Sequence, residues 1–215
     1  MAIGYPNGKS YSHSAENNKK NQVKKTSHSF SKRGMTLEDD INASNESYLS
    51  RNKAVIHKKP TPVQIVQVDY PKRSAAVIKE AYFRQASTTD YNGVYQGFHL
   101  DFEAKETQNK RSFPLKNFHE HQILHMKQCL AQQAICFVIM KFTSVNRLFL
   151  LEARFLIDYW DLKNNEGRKS IPLEELEKNG YELYYGLSPR IPFLDVVDIL
   201  IEKSFSKESN NHDKR

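Results

Sequence analysis

The sequence predicts an α/β fold in which a mixed β-sheet is flanked by helices. Segments rich in β-branched residues, such as 63–68 and 135–142, alternate with segments whose apolar residues recur at helical spacing. The glycines of residues 93–97 predict a β-hairpin, and the order of the elements predicts at least one crossover connection. This mixture of strands and helices is typical of a sheet covered by helices.

The ordered part of the chain is predicted to begin with a helix. Thr36, followed three residues later by Asp39, forms a capping-box-like start. Leu37, Ile41 and Tyr48 then follow as the apolar residues of the helix.

Strands and helices then follow in a mixed order. Residues 74–87 combine helix-favouring alanines with strand-favouring Val, Ile, Tyr and Phe, so their structure is left open. Residues 109–117 are predicted to be a loop, and residues 181–185 an edge strand. The other predicted strands cover residues 54–57, 63–68, 98–106, 135–142 and 147–151, and the other helices residues 119–134, 152–160, 170–178 and 192–205.

One domain with two tails accounts for the length of 215 residues, which is enough to bury one good core. Residues 1–31 have almost no aliphatic side chains and are predicted to be a flexible basic arm. The domain is predicted over residues 32–205, followed by a disordered polar tail over residues 206–215.

Charge and composition indicate which class of molecule the protein binds and where in the cell it is located. A net charge of +7 favours a polyanion, with nucleic acid ahead of an acidic membrane surface. No apolar run approaches the roughly 18 residues of a membrane span, and no secretory signal is evident, so we predict a cytoplasmic protein. Cys129 and Cys136 are the only cysteines, and we predict reduced thiols without a function.

Candidate catalytic residues lie on the strand over residues 98–106. Alternation puts Asp101, Glu103 and Lys105 on the face opposite to an apolar face that packs into the core. Glu103 and Lys105 then lie about 7 Å apart, close enough to share a cation and a phosphate. Magnesium needs hard oxygen ligands and usually takes one or two carboxylates from a protein, and Asp90 is the candidate second carboxylate because it lies just before the hairpin.

These residue types suit phosphodiester hydrolysis, in which negative charge builds on the phosphate and on the departing oxygen. A metal held by Asp90 and Glu103 would polarise the phosphate, and Lys105 would stabilise the growing charge. The alternative is that the polar residues of this strand are its solvated face.

Four sequence strings support a more specific interpretation. They are RGMTLE at 33–38, HKKPTP at 57–62, STTDYNG at 87–93 and DFEAKET at 101–107. Together they resemble the RecU family of Holliday junction resolvases, and the resemblance runs from Tyr5 to Ile191. It implies a restriction-endonuclease-like fold with a protruding stalk at about residues 72–88. It also implies a homodimeric endonuclease that needs Mg²⁺, with Mn²⁺ as a substitute, and resolves four-way junctions in recombination and repair.

The resemblance also implies the roles of individual residues. Thr89 stands where the name of the PD-(D/E)xK class has proline, a variation that RecU-like proteins share. Without the resemblance, Thr88 would be a turn residue and Gln122 an exposed helix residue. The implied metal ligands are Thr88, Asp90, Glu103 and Gln122, and the implied transition-state lysine is Lys105.

Basic and aromatic residues are predicted to contact DNA. Pairs of basic residues near the site would bind phosphates and make binding fall with salt, although solubility alone could explain each pair. The resemblance implies that the stalk enters the junction, where exposed bases can stack on Phe83, unless Phe83 is ordinary core. The predicted DNA-binding residues are Arg33, Lys58, Lys59, Lys72, Arg73 and Phe83. A branch-migration helicase and a recombinase are the implied protein partners.

Other interpretations stay open. His121 and His125 have the spacing of zinc ligands on a helix, but without an evident third ligand we favour DNA contact or surface exposure. The chain could instead anneal strands, hold branched DNA or modulate a recombinase, with cleavage secondary. A third hypothesis is a nuclease that cuts duplex or flapped DNA without preference for junctions.

Overall fold

The computed structural model describes residues 35–69, 76–84 and 88–212, without the side chains of residues 164–166 and 206–212. The predicted arm over residues 1–31 lies outside these residues, as do Arg33, Lys72 and Arg73. In chain order the strands are β1 (Val55–Lys58), β2 (Val63–Asp69), β3 (Val77–Phe83), β4 (Tyr91–Tyr95), β5 (Phe98–Thr107), β6 (Ser112–Pro114), β7 (Ile135–Phe142), β8 (Arg147–Glu152), β9 (Ser170–Pro172) and β10 (Tyr181–Leu183), and the helices are α1 (Leu37–Ser50), α2 (Glu120–Ala131), α3 (Ala153–Glu166), α4 (Leu173–Asn179) and α5 (Leu194–His212).

A six-stranded mixed sheet forms the centre of the fold, with the strand order β1, β4, β5, β7, β8 and β10. Only β5 and β7 run parallel, and the other neighbouring strands of this sheet are antiparallel. A parallel pair needs a crossover, and α2 lies in the connection between β5 and β7. The predicted α/β fold with a mixed sheet and flanking helices is confirmed.

Apolar residues bury both faces of this sheet. On one face, Phe102 of β5 belongs to a core cluster with Ile41 of α1 and Val197 of α5. On the other face, Val138 of β7 belongs to a second cluster with residues of α2, α3 and α4, including Met126 of α2. Because side chains alternate along a strand, Asp101 and Glu103 lie on the second face of β5, where they are buried next to α2.

The β4–β5 hairpin determines which residues lie opposite one another. Its turn consists of Gln96 and Gly97, both with positive φ (50° and 84°), which a two-residue hairpin turn with the twist of the strands requires. Gly93, which we predicted within the turn region, belongs to β4 instead. A Cβ atom at Gly93 would lie 2.3 Å from the carbonyl oxygen of Val55, so the close approach of β1 requires glycine there.

Several predicted bounds differ from the structure. The predicted loop over residues 109–117 contains β6 and a 3₁₀ turn at Leu115–Asn117, and the helix predicted from residue 170 begins only after β9. β6 pairs with β9, a contact distant in sequence that no local pattern indicates. Helices α3 and α5 extend beyond their predicted ends at residues 160 and 205, and α5 enters the predicted polar tail. The predicted edge strand is confirmed, because β10 pairs with β8 at the end of the sheet.

Residues 77–83, whose structure the sequence left open, form β3, which pairs with β2 in a separate antiparallel sheet. Every side chain of β3 is exposed, and Phe83 is 83% exposed, so its interpretation as ordinary core is wrong. Within the described part of the chain, none of the helices combines the length and the apolar character that a membrane crossing requires.

Candidate active site

Two carboxylates and one ammonium group meet where β4 begins beside β5. The Lys105 Nζ lies 2.8 Å from Oε1 of Glu103 and 3.9 Å from Oδ2 of Asp90. Because Tyr91 pairs with Phe102, the antiparallel register continued by one residue puts Asp90 opposite Glu103. The structure therefore brings together the three residues for which the sequence predicts catalysis.

Glu103 is a fully buried carboxyl group, with 0% of its surface exposed. Its Oε2 accepts hydrogen bonds from the backbone N–H of Asp90 at 3.2 Å and from Nε2 of Gln122 at 2.8 Å. Among the residues that the structure describes, none gives Oε1 a hydrogen bond of good geometry, although Lys105 lies within ion-pair distance. Burial is the largest cause that raises the pKa of Glu103 to about 8, and the neighbouring Asp90 is the second. Lys105 opposes this increase.

Gln122 connects α2 to this carboxyl group. It is buried at 4% exposure, its Oε1 accepts a hydrogen bond from the backbone N–H of His119 at 3.0 Å, and its Nε2 faces Glu103. The interpretation of Gln122 as an exposed helix residue, made without the resemblance, is therefore wrong. Its burial could not be read from α2 alone, because β5 is the element that covers it.

A second buried carboxyl group, Asp101, holds the segment that precedes Asp90. Asp101 is 1% exposed and accepts hydrogen bonds from the hydroxyl of the buried Thr89 and, at 2.8 Å, from Nζ of Lys59. The backbone N–H of Lys59 also donates to the carbonyl of Asp90 at 2.7 Å. Asp90 is thus positioned through its own backbone and through its neighbour Thr89, independently of its carboxylate.

The burial of Asp101 and Glu103 excludes the interpretation of β5 as an amphipathic strand with a solvated polar face. A buried carboxylate needs partners, and here both groups have them in the site itself. The sequence alone indicates no role for Asp101 or Thr89. The only available signal was the position of Asp101 on the same face as Glu103.

The remaining predicted site residues are less closely connected to this centre. The hydroxyl of Thr88 donates to the carbonyl of Thr89 at 3.2 Å. Lys58 pairs with Glu38, and the ammonium of Lys59 faces Asp101. Phe83 lies at the end of β3. Contact of these side chains with a metal or with DNA stays a prediction.

The histidines near the start of α2 lie in different surroundings. His119 stacks on His121 with ring centroids 5.4 Å apart. Burial is the largest cause that lowers the pKa of His121, and the nearby His119 and Lys105 lower it further. His125 lies next to Asp101, with 3.1 Å between Nε2 and Oδ2.

The donor set around Glu103 fits a hard divalent cation. Asp90 and Glu103 supply carboxylate oxygens beside the same ammonium group, and within the described part of the chain one buried oxygen of Glu103 lacks a hydrogen bond of good geometry. A cation would also favour the ionised form of Glu103, which burial alone disfavours. Gln122 presents its nitrogen to Glu103, so coordination through its oxygen would need the amide to rotate.

Comparison with known proteins identifies close relatives. The family described as RecU, recombination protein U, matches residues 32–199. A protein of Lactiplantibacillus plantarum named Holliday junction resolvase RecU is 61% identical over 96% of this chain and 99% of its own length. Proteins of the same name from Geobacillus kaustophilus and Limosilactobacillus reuteri are 59% and 58% identical, over 92% and 94% of this chain and 97% and 98% of their own lengths.

Proposed function

This chain belongs to the RecU family, and from that membership we infer that it is an endonuclease that resolves Holliday junctions during homologous recombination and DNA repair. The structural observation that supports this inference is the proximity of the Asp90 and Glu103 carboxylates to the Lys105 ammonium group. Carboxylate oxygens next to an amine are the groups that hydrolysis of a phosphodiester by a metal-dependent nuclease requires.

We propose Mg²⁺ as the cation, with Mn²⁺ as a substitute, held by Asp90 and Glu103 with contributions from Thr88 and Gln122. When bound, such a cation stabilises charge on the scissile phosphate and makes water a stronger acid. Lys105 places its ammonium beside both carboxylates, where it can stabilise the negative charge that develops on the phosphate. With the amide as it lies, Gln122 donates from Nε2 to Glu103 and so orients its carboxylate, and rotation of the amide would let its oxygen contact the cation.

Gln122 provides a first test of this assignment. The Gln122→Ala variant is expected to need about 10–100-fold more Mg²⁺ for half-maximal cleavage, because Glu103 loses the donor that orients it. The matched control is Gln128→Ala, which removes an exposed glutamine from the same helix and should leave the Mg²⁺ dependence unchanged. Equal Mg²⁺ requirements for both variants would contradict the orienting role.

The β2–β3 hairpin is proposed to be the stalk that enters the junction. It includes β2 as well as part of the predicted range of residues 72–88, and its strands present exposed apolar side chains such as Ile65 and Phe83. Such side chains offer stacking surfaces to unpaired bases, and basic residues of the predicted set would contact phosphates. Residues 32–205 are proposed to form the nuclease domain that carries this stalk.

Phe83 allows a test of the stalk that leaves the core intact. The Phe83→Ala variant is expected to bind a four-way junction about 5–150-fold more weakly, since one stacking contact contributes roughly 1–3 kcal/mol. Linear duplex binding and the melting temperature should change little, because the side chain is 83% exposed. The control is Tyr184→Ala, an aromatic residue that is 72% exposed outside the hairpin. A loss of affinity in the control, or none in Phe83→Ala, would argue against the stalk.

A homodimer is proposed as the active form, because two sites related by two-fold symmetry match a junction of similar symmetry and yield paired nicks. The proposed protein partners are a branch-migration helicase and a recombinase, and the proposed location is the cytoplasm.

Cleavage of matched substrates tests the function as a whole. Labelled four-way junction and linear duplex of the same sequence are incubated with the protein in Mg²⁺ or in EDTA. We expect paired, symmetric nicks in the junction with Mg²⁺ and none in EDTA. Equal cutting of the duplex would favour a nuclease without junction preference, and tight binding without cutting would favour a strand-annealing or recombinase-modulating protein.

A further inference from the structure

A second cluster of metal-ligating side chains lies on the same face of β5, on the other side of Asp101 from the candidate active site. His99 and Asp101 come from β5, and His125 and Cys129 come from α2. One ligand atom from each of His99, Asp101 and Cys129 lies within 4.8 Å of the others. The Nε2 of His125 lies 3.1 Å from Oδ2 of Asp101 and 3.5 Å from Sγ of Cys129.

The distances from Nε2 of His125 to Asp101 and to Cys129 are close to those in a tetrahedral zinc site, and His125 joins the group of His99, Asp101 and Cys129 through these two contacts. Bonds of about 2.0–2.3 Å put neighbouring ligand atoms about 3.3–3.8 Å apart. Nε2 of His99, at 3.9 Å from Oδ2 of Asp101, needs only a small side-chain rotation to reach that distance. We propose that His99, Asp101, His125 and Cys129 bind one zinc-class divalent cation.

The ligand chemistry distinguishes this site from the carboxylate centre at Asp90 and Glu103. A thiolate and two imidazoles select borderline-soft cations, whereas Mg²⁺ prefers oxygen ligands and keeps several waters. Access is available from solvent, because the His99 side chain is 48% exposed while that of Asp101 is 1% exposed. Helical spacing in the sequence pairs His125 with His121, whereas the structure places His125 beside Asp101 of β5 and Cys129 of its own helix.

Lys59 opposes cation binding, so replacing it should increase the affinity that replacing a ligand would decrease. Its ammonium lies 2.8 Å from the same Oδ2 of Asp101 that the cation would use. Replacing it in Lys59→Met removes both the competing donor and the repulsive positive charge. Cation affinity should therefore increase in this variant and decrease in variants of the four ligands.

Cobalt(II) provides a spectroscopic probe, because a thiolate bound to tetrahedral Co²⁺ gives a charge-transfer band. The full-length protein with reduced thiols is titrated with Co²⁺ and then with Zn²⁺. We expect one Co²⁺ per chain with a thiolate band that Zn²⁺ abolishes. The band should disappear in Cys129→Ser, and Co²⁺ should bind at least about tenfold more weakly in His99→Ala.

Matched controls separate this site from the nuclease centre and from damage to the fold. Asp90→Ala and His57→Ala should keep the band, and Lys59→Met should reach saturation at a lower Co²⁺ concentration. The proposal is overturned if wild-type protein gives no thiolate band, or if the band is lost in Asp90→Ala. A band that survives Cys129→Ser and vanishes in Cys136→Ser would overturn the ligand assignment.

Discussion

The Asp90→Ala variant is expected to nick a four-way junction at least about 1000-fold more slowly than wild-type protein, because the site loses one of its two carboxylates for a cation. Junction binding should be retained or slightly tighter, since a negative charge is removed from the surface that we propose faces DNA phosphates. Single-turnover cleavage in Mg²⁺ and binding in EDTA measure the two effects separately.

The fold should survive this change. Asp90 is held by its backbone N–H, bonded to Glu103, and by its carbonyl, bonded to the N–H of Lys59, and both bonds remain in alanine. Asp158→Ala is a suitable control, because it removes an exposed carboxylate from α3. Cleavage that stays within tenfold of wild type in Asp90→Ala would exclude Asp90 from the catalytic centre.

The Glu103→Gln variant is expected to be inactive yet more stable than wild-type protein in EDTA at pH 8. Burial raises the pKa of Glu103 from 4.5 to about 8, so the folded protein holds this proton more tightly than the unfolded chain. The tighter binding of this proton therefore stabilises the folded protein fully below about pH 4.5, and this stabilisation is lost as the pH rises to about 8. Glutamine does not ionise, so the variant avoids a cost on the order of a few kcal/mol.

Urea unfolding in EDTA between pH 5 and pH 8 measures this difference, which should grow with pH. Added Mg²⁺ should raise the free energy of unfolding of wild-type protein and raise that of Glu103→Gln much less, because the variant keeps only the Asp90 carboxylate of the two proposed for the cation. The control is Glu174→Gln, an exposed position on α4 that should follow wild type in both respects. If Glu103→Gln loses stability with rising pH as steeply as wild type, burial does not disfavour the charge at this position.

Local sequence patterns were sufficient to predict part of the fold and part of the candidate active site. The predicted capping box is present, with Thr36 and Asp39 bonded to each other at the start of α1. Alternation along β5 correctly put Asp101 and Glu103 on one face, and the hairpin brought Asp90 back to Glu103. These features depend on residues close in sequence, or on one tight turn, and a single sequence contains that information.

The sequence by itself therefore determined the α/β class, the order of most elements and the identity of the candidate catalytic carboxylates and lysine. Only the tertiary structure decided that α2 covers β5, which buries Glu103 and brings Gln122 against it. The same packing joins Thr89 and Lys59 to Asp101 and places His125 and Cys129 above β5. Burial and the pKa shift it causes arise from contacts between segments distant in sequence, so no local periodicity encodes them.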